Sequence, residues 1–424
     1  MTSHTITITG LSPLYIGSGD TYSQLDYIHG DNKIYIIDFD KILTEVPMEM
    51  IEDLTNEIAQ NFKNNIWDGD VKEFLSRYSI DWREFIEKDY DLVGSIKKNE
   101  INQFIKTGEK IYVPGSSVKG AIRTAILFEI VKTHPNKRNE IINDMLQFHN
   151  YRDRSVQQLI QSDGKTDLLR ALQVSDLTVR NAQERTKVAE SNVYHLQNKE
   201  FTIPIFNEVL YHGFVAEGTI KLNEQLATSN YLISNHFDLQ KDRIIQAANR
   251  FSSDIIKFER SVFSRQANPH LEKITTFYET LEGQLNDLDP SECILRLGQG
   301  SGFLAMTLFL TYHDIPKIRA HFRRNIEIFT FDTVDRGGRY STRAGRFNIY
   351  IDRNSPNIPR NLNETWLCRI VSTQRKRNIQ FVSLLEQVSP GFDPEKILYP
   401  LTRKFVVAQN ELLYPYGWIK VKWD

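Results

Sequence analysis

The alternation of polar and apolar residues changes its period several times along the 424-residue chain. Residues 4–10 alternate with the two-residue period of a half-buried strand. Residues 26–29 and 33–39 predict a hairpin, because Gly30-Asp31-Asn32 between them is typical of a tight turn. From about residue 47 to residue 104, apolar residues recur at helical spacing among many charges. This pattern predicts a helical insertion laid over the first sheet.

Further along, strands and helices are predicted in turn. Alternating segments predict strands at residues 172–179, 202–222 and 415–421, the second of them bent or folded into a hairpin. Apolar residues recur on one side of residues 238–263, which predicts an amphipathic helix, and residues 270–285 predict another. Trp418, within the strand 415–421, is expected in the core.

Residues 111–132 combine a short strand, a sharp turn and a helix. Pro114 and Gly115 end the strand, and Ser116 and Ser117 follow, each with a hydroxyl that can cap a helix start. A helix N-terminus offers free N–H groups and a partial positive charge to an anion. The turn therefore predicts an anion site, with a capped core helix as the alternative.

Two cations follow this turn on the predicted helix. Lys119 and Arg123 are four residues apart and so share one helix face. Two cations beside a helix N-terminus suit a phosphate group. The alternative is that both side chains are simply solvated.

A glycine-rich loop lies near residue 300, with Gly298, Gly300 and Gly302 at every second position and Arg296 just before them. Alternate glycines let another backbone, or a nucleic-acid sugar-phosphate chain, lie directly on the loop. The alternative is a strand edge with bulges.

An arginine- and glycine-rich segment follows at residues 336–346 and contains no acidic residue. Flexible Arg/Gly segments with an aromatic residue suit single-stranded RNA, through phosphate contacts and stacking. The candidate RNA contacts here are Arg336, Arg339, Arg343 and Arg346. The alternative is a solvated loop.

Composition places the chain among globular proteins of about two domains, without a membrane span or a secretion signal. The two cysteines, Cys293 and Cys368, have no metal spacing and favour a reducing, cytoplasmic location. The net charge of −2 hides an asymmetry. Residues 291–424 carry 20 Lys and Arg against 12 Asp and Glu, and residues 1–290 carry 32 against 42. A basic last third suggests contact with a polyanion, or pairing with the acidic remainder.

No nucleotide or metal signature is found, and no cofactor is predicted. His4, His29, His212 and His313 each have the chemistry of a general acid or base, but no pattern selects one. No catalytic residue is assigned.

Several stretches together resemble one family. They are residues 12–19 (SPLYIGSG), 113–123 (VPGSSVKGAIR), 174–176 (VSD), 297–303 (LGQGSGF), 400–403 (PLTR) and 415–418 (PYGW). Their identity and order resemble the RAMP superfamily of CRISPR RNA-binding proteins. The late glycine loop and the closing motif are similar to the fifth Csm subunit of type III-A systems.

The resemblance implies an α+β fold of two ferredoxin-like, RRM-like domains with helical insertions. We place the domains at residues 1–200 and 201–424. It also implies a subunit that caps the filament of backbone RAMP subunits, binds the 3′ region of the CRISPR RNA (crRNA) and is required for crRNA maturation and antiviral defence. The implied partners are the crRNA, the backbone and small Csm subunits and host nucleases, with no membrane.

Carried onto this chain, the resemblance implies two phosphate cradles. Ser116, Ser117, Lys119 and Arg123 form the first, and the three loop glycines form the second. RAMP loops often carry a basic residue among these glycines, whereas this chain has Gln299 and Ser301. Two functions remain open: a non-catalytic RNA-binding subunit, and a metal-independent endoribonuclease that cuts CRISPR repeat RNA with an acid/base pair.

Overall fold

The chain forms two large sheets with helices packed against them. The computed structural model describes residues 2–63, 66–67, 70–97, 99–147, 156, 158–160, 165–196, 198–202, 204–229, 236–266, 268–312, 326–329, 339–344, 347–352, 366–373, 376–383 and 400–424. The fold is α+β, as predicted.

The first part of the chain supplies strands to both sheets. Its elements are β1 (Thr2–Gly10), β2 (Gly17–Tyr22), β3 (Tyr27–His29), β4 (Lys33–Ile37), α1 (Phe39–Glu45), α2 (Met48–Asn61), β5 (Phe62–Lys63), β6 (Ile66–Trp67), α3 (Val71–Arg77), β7 (Ile86–Val93), β8 (Ile101–Phe104), β9 (Lys106–Thr107) and β10 (Lys110–Val113). The strand at residues 4–10 and the hairpin of β3 and β4 are confirmed.

The middle part contains the helix that follows the Pro-Gly turn. Its elements are α4 (Gly115–Thr133), α5 (Pro135–Gln147), β11 (Leu172–Val174), β12 (Leu177–Val179), α6 (Ala182–Arg185), β13 (Thr186–His195), β14 (Glu200–Phe201), β15 (Ile205–Leu210), β16 (Val215–Leu222) and α7 (Glu224–Ala227). The single strand predicted at 172–179 is wrong: residues 175 and 176 separate β11 from β12.

The last part contains both predicted amphipathic helices. Its elements are α8 (Lys241–Ser264), α9 (Glu272–Asn286), β17 (Glu292–Arg296), α10 (Gly302–Met306), β18 (Ile326–Phe329), β19 (Arg339–Ala344), β20 (Phe347–Asp352), β21 (Trp366–Thr373), β22 (Lys376–Ser383), β23 (Thr402–Ala408), β24 (Glu411–Pro415) and β25 (Trp418–Trp423). Short 3-10 helices lie at Trp82–Phe85, Leu168–Ala171, Pro269–Leu271 and Phe309–Thr311.

In both sheets, strands that are distant in the sequence lie next to each other. Sheet I has the order β17-β25-β1-β16-β12-β10-β9, with β11 also paired to β16. Sheet II has the order β2-β8-β15-β13-β7-β4-β3, with β14 and β23 also paired to β13 and β24 paired to β23. The domain boundary predicted near residue 200 falls between β13 and β15, which pair with each other. The boundary stays a prediction, and the backbone hydrogen bonds between β13 and β15 join residues on its two sides.

The helical insertion is shorter than predicted. Helical structure ends with the Trp82–Phe85 turn, and β7 and β8 within the predicted range are strands of sheet II. In β7 the acids Glu87, Asp89 and Asp91 alternate with the other residues, which is the period of a strand. The three helices α1, α2 and α3 pack with β3 and β4 around a separate apolar core.

The largest apolar core joins the two sheets through three helices, α4, α8 and α9. Trp418 of β25 is fully buried in this core, as predicted. Among the described residues, no helix is long and apolar enough to cross a membrane.

Candidate nucleic-acid interface

The turn into α4 is shaped by a close backbone approach. A Cβ atom built on Gly115 would lie 2.3 Å from the carbonyl oxygen of Val174 and 2.4 Å from that of Ser175. Only glycine therefore lets the helix begin so close to the bend between β11 and β12. The Gly115 N–H donates to Oδ1 of Asp176 over 2.9 Å. The Asp176 carboxylate of the chain itself is therefore already bound to one of the free N–H groups at this helix start.

The predicted capping by serine is wrong. The helix begins at Gly115 and its N-cap residue is Pro114, which makes no side-chain cap. Ser116 and Ser117 therefore lie inside the first turn. Ser116 is exposed, and the Ser117 N–H donates to the Pro114 carbonyl over 3.0 Å.

Lys119 and Arg123 share one face of α4 but have different surroundings. Arg123 donates from Nη1 to Oδ2 of Asp167 over 2.9 Å, and both side chains are partly exposed. Burial lowers the pKa of Lys119, the Asp167 carboxylate opposes this shift, and the Arg123 guanidinium adds to it. Within the described part of the chain, Lys119 has no ion pair. A phosphate at this face would relieve the cost of its buried charge.

Gly120 follows Lys119 on the exposed side of the helix. A Cβ atom at this position would meet nothing within 4 Å. Sheet packing therefore does not require this glycine, and the surface beside Lys119 is open to a ligand.

The glycine loop between β17 and α10 has positive φ angles at Gly298, Gly300 and Gly302, of 75°, 96° and 77°. Two of these glycines serve packing inside the chain. A Cβ atom on Gly298 would lie 2.4 Å from the Tyr15 carbonyl oxygen, and one on Gly300 would lie 2.9 Å from Cβ of Tyr416. Gly302 is exposed with nothing within 4 Å. Of the three, Gly302 alone presents open backbone to a ligand.

Arg296 lies inside the protein and its guanidinium is occupied there. Its Nε donates to the Tyr416 carbonyl over 2.9 Å, and its guanidinium lies 5.3 Å from the Trp418 ring centre. Its Nη1 lies 3.9 Å from Oε1 of the buried Glu259. The structure thus places this predicted RNA contact in the core beneath the loop.

The predicted arginine-rich contacts fall largely beyond what the structure describes. Arg336 and Arg346 lie outside the described residues. Arg339 and Arg343 belong to β19, where they pair in register with Asp352 and Asn348 of β20. Their role in RNA binding stays a prediction.

The two predicted cradles do not meet in one pocket. In sheet I, β10 and β17 are separated by four strands and five antiparallel pairings. At roughly 4.8 Å per strand, the strands that lead into the cradles lie about 24 Å apart. Each antiparallel pairing reverses the strand direction, and five such pairings make β10 and β17 run in opposite directions. The chain therefore leaves these two strands at opposite ends of the sheet. Helix α4 contacts β11, β17 and α10, and so bridges this distance.

Arg403 and Lys404 on β23 lie beside the glycine loop and were not selected from the sequence. They line a cavity of about 190 Å³ together with residues of the loop. Arg403 closes one of the motifs that carry the family resemblance, which was the available signal. Its partner Glu259 lies 144 residues away on α8 and could not be found from local spacing.

The candidate histidines occupy unrelated places. His212 packs against Tyr211 and Tyr414, with ring centres 4.5 and 5.1 Å away, at a groove of about 810 Å³ beside α9. Burial lowers the pKa of His212, and Arg185 and Lys187 lower it further. His4 packs edge-on against Trp423, His29 is exposed, and His313 lies outside the described residues. The described residues contain no cluster of His, Cys, Asp and Glu suited to a metal ion.

Comparison with known sequences identifies the family and its relatives. The model of the RAMP superfamily matches residues 7–303. CRISPR system Cms protein Csm5 of Methanocaldococcus jannaschii is 27% identical over 425 residues, which cover 97% of this chain and 87% of the relative. The protein of the same name from Streptococcus thermophilus is 26% identical over 216 residues, covering 48% of this chain and 59% of that protein.

Solved structures support the fold. The crystal structure of T. onnurineus Csm5 covers 72% of this chain and 92% of its own, with a TM-score of 0.58 and 23% identity. A chain in the cryo-EM structure of the Csm–crRNA–target RNA ternary complex of a type III-A CRISPR-Cas system covers 99% of this chain and 100% of its own, with a TM-score of 0.59 and 18% identity. The predicted fold class of ferredoxin-like domains with insertions is thereby confirmed. Because the family model spans well over half of the sequence, the chain belongs to the RAMP superfamily.

Proposed function

We propose that the protein is a non-catalytic, crRNA-binding subunit of a type III-A Csm effector complex. It caps the filament of backbone RAMP subunits at the crRNA 3′ end and is required for crRNA maturation and antiviral defence. The observation that carries this proposal is the similarity to a protein named Csm5 along 97% of the chain. The similarity of fold to a chain of a Csm–crRNA–target RNA complex along 99% of its length supports it.

In this proposal the RNA backbone lies along two surfaces. The first consists of the exposed Ser116, the half-buried Lys119 and Arg123 on α4. The second is the glycine loop at Gly302. The arginines predicted at residues 336–346 extend the contact. The buried Arg296 acts from beneath the loop, by holding the Tyr416 carbonyl in place, rather than by touching RNA.

Lys119 and Arg123 would each take a phosphate contact, although Arg123 shares its guanidinium with Asp167. Phosphate contacts fix the position of an RNA without reading its sequence. Binding should therefore be similar for different guide sequences and should weaken steeply with salt, because each neutralised phosphate releases counterions. The further partners would be the backbone and small Csm subunits and, during maturation, host nucleases. The protein would act in the cytoplasm, in keeping with its free, buried Cys293.

The double variant Lys119→Ala/Arg123→Ala tests the first surface. We expect it to weaken crRNA association by about the same factor for every guide sequence, and to reduce the slope of log K against log salt by roughly 1 to 2. The matched control is Arg243→Ala/Lys257→Ala, which removes the same charges from exposed positions of α8. Normal assembly of complexes with mature crRNA by the Lys119/Arg123 variant would make this surface purely structural.

Incubation with repeat-containing RNA separates the proposal from the nuclease alternative. The purified protein, with and without divalent metal, should leave the RNA intact. A discrete cleavage product that one His→Ala change abolishes would contradict a non-catalytic subunit.

A further inference from the structure

A small cavity lies between the glycine loop and the start of β23. Its volume is about 190 Å³, enough for a single phosphate-sized group with a few waters. The residues that line it are Val193, Glu259, Arg296, Gly300, Ser301, Gly302, Phe303, Leu304, Pro400, Thr402, Arg403 and Lys404. The lining contains three cationic side chains and one carboxylate.

The buried Arg403 is the first of these cations to consider. Its Nε donates to both carboxylate oxygens of Glu259, over 2.8 and 2.9 Å, and its Nη1 donates to the Thr402 carbonyl over 3.1 Å. Its Nη2 has no hydrogen-bond partner among the described residues, although 92% of the residue's surface is buried. A buried N–H group without a partner is costly, so this guanidinium has donor capacity that the fold leaves unused.

The charges of the cluster do not cancel. Glu259 is fully buried and accepts from Arg403, while Nη1 of Arg296 lies 3.9 Å from the same carboxylate. Two guanidinium groups therefore share one carboxylate. The excess positive charge lies in a buried region of low dielectric constant, where it attracts an anion more strongly than it would in water.

Lys404 adds a third positive charge at the edge of the cavity. It is half-buried, and its Nζ lies 5.9 Å from the ring centre of Tyr15 and 5.7 Å from that of Tyr416. It has no ion pair with any residue that the structure describes. Burial lowers the pKa of this lysine, and an anion nearby would favour its charged form.

We infer that this cavity is a phosphate-binding site, in which Arg403 and Lys404 hold one phosphate group of the bound RNA beside the open backbone of Gly302. A guanidinium with a free N–H and a nearby ammonium suit a phosphate, which accepts several charge-assisted hydrogen bonds at once. The Arg403–Glu259 pair keeps the guanidinium in place before the ligand arrives. This inference rests on the proposed RNA binding, and the phosphate could be a 3′-terminal group or an internal phosphodiester.

The test uses Lys404→Gln in the full chain, with Lys422→Gln as the charge-matched control at an exposed position of β25. Binding is measured with a single-stranded RNA that ends in a 3′-phosphate and with the same RNA ending in a 3′-hydroxyl. We expect Lys404→Gln to weaken binding about tenfold, as for the loss of a charge-assisted hydrogen bond, and Lys422→Gln to change it less than twofold. A loss confined to the 3′-phosphate RNA identifies a terminal group, and an equal loss for both identifies an internal one. Equal binding of both RNAs by the two variants would overturn the site.

A second measurement separates this inference from the proposed function. Inorganic phosphate should raise the Tm of the wild-type chain, because a ligand that binds only the folded state stabilises it. The rise should persist in Lys422→Gln and disappear in Lys404→Gln. This result would support the site even if the isolated chain bound neither RNA, an outcome that would count against the proposed function alone. Absence of any rise, or an equal rise in both variants, would count against the site.

Discussion

Two glycines of α4, five residues apart, differ in the space that a side chain would have. Gly115 lies against the carbonyls of Val174 and Ser175, whereas Gly120 faces open space. We expect Gly115→Ala to lower the free energy of unfolding by about 1–3 kcal/mol or more, since the added methyl group displaces backbone. Gly120→Ala should raise it by about 0.5–1 kcal/mol, as for an exposed helix interior. Urea unfolding of both variants gives the comparison, and equal stabilities would contradict the close approach at Gly115.

His212 should make stability depend on pH. Burial, with Arg185 and Lys187 nearby, lowers the pKa of His212 in the folded chain. The unfolded chain then binds the proton more readily, so the contribution of His212 is complete above its unfolded pKa of about 6.5 and is lost as pH falls below it. Urea unfolding between pH 7.5 and pH 5 should show a smaller loss for His212→Gln than for the wild type. An identical loss would show that His212 does not contribute.

At the scale of elements, the periodicity of apolar residues predicted those strands and helices whose formation depends on residues near in sequence. The strand β1 and the helix α8 were found because their burial follows the two-residue and helical periods along one segment. The strand β7 was missed, because its alternating acids resemble the charges of the helices before it. The sequence could not reveal the Asp176 contact to Gly115, since 61 residues separate them.

The candidate site was predictable to the same degree. The turn and the cations between Ser116 and Arg123 are contiguous, so local spacing is enough to place Lys119 and Arg123 on one helix face; their contact with RNA stays a prediction. Arg296 was chosen for its position beside glycines, yet tertiary contacts to Glu259 and Tyr416 take it into the core. Arg403 was passed over because its importance depends on α8. Local spacing cannot distinguish a buried arginine from an exposed one.

The ion pair of Glu259 and Arg403 joins α8 to β23. Removing Arg403 takes away both short hydrogen bonds of the buried Glu259 carboxylate and leaves it only the Arg296 guanidinium, 3.9 Å away. Arg403→Met is therefore expected to cost about 3–5 kcal/mol of stability. Adding Glu259→Gln to Arg403→Met should recover part of this loss, because the buried carboxylate that lost its hydrogen-bond donors is gone, while Arg296 keeps its bond to the Tyr416 carbonyl. Urea unfolding of the single and double variants measures the recovery. A double variant no more stable than Arg403→Met would mean that the pair does not join these elements energetically.

At the scale of the whole molecule, the two proposed RNA contacts are far apart, because the strands that lead into them are separated by four others in sheet I. Helix α4 has 19 residues and is about 28 Å long, close to the distance of about 24 Å across sheet I. An RNA must therefore be long enough to reach both contacts before their contributions combine. At a rise of about 3.4 Å per stacked nucleotide, about 24 Å across the sheet requires at least about seven nucleotides.

The dependence of affinity on RNA length tests this arrangement. Affinity should rise steeply between about five and ten nucleotides in the wild type. The rise should be reduced when either Lys119 or Lys404 is replaced by glutamine, because one of the two contacts is then weakened. The Lys422→Gln variant should keep the full rise. A smooth increase with length, the same in all variants, would contradict two separate contacts.

The position of β25 between β1 and β17 also governs how the chain is made. The N–H of Trp418 donates to Oγ of Ser12, 406 residues earlier, where β25 completes sheet I beside β1. At about 5–20 residues per second, β1 leaves the ribosome roughly 20–80 s before this neighbour is synthesised. Throughout that time the edge of β1 that β25 will occupy is free to pair with other nascent chains. Sheet I can therefore close only after translation has passed residue 418, and the growing chain must be protected from aggregation until then.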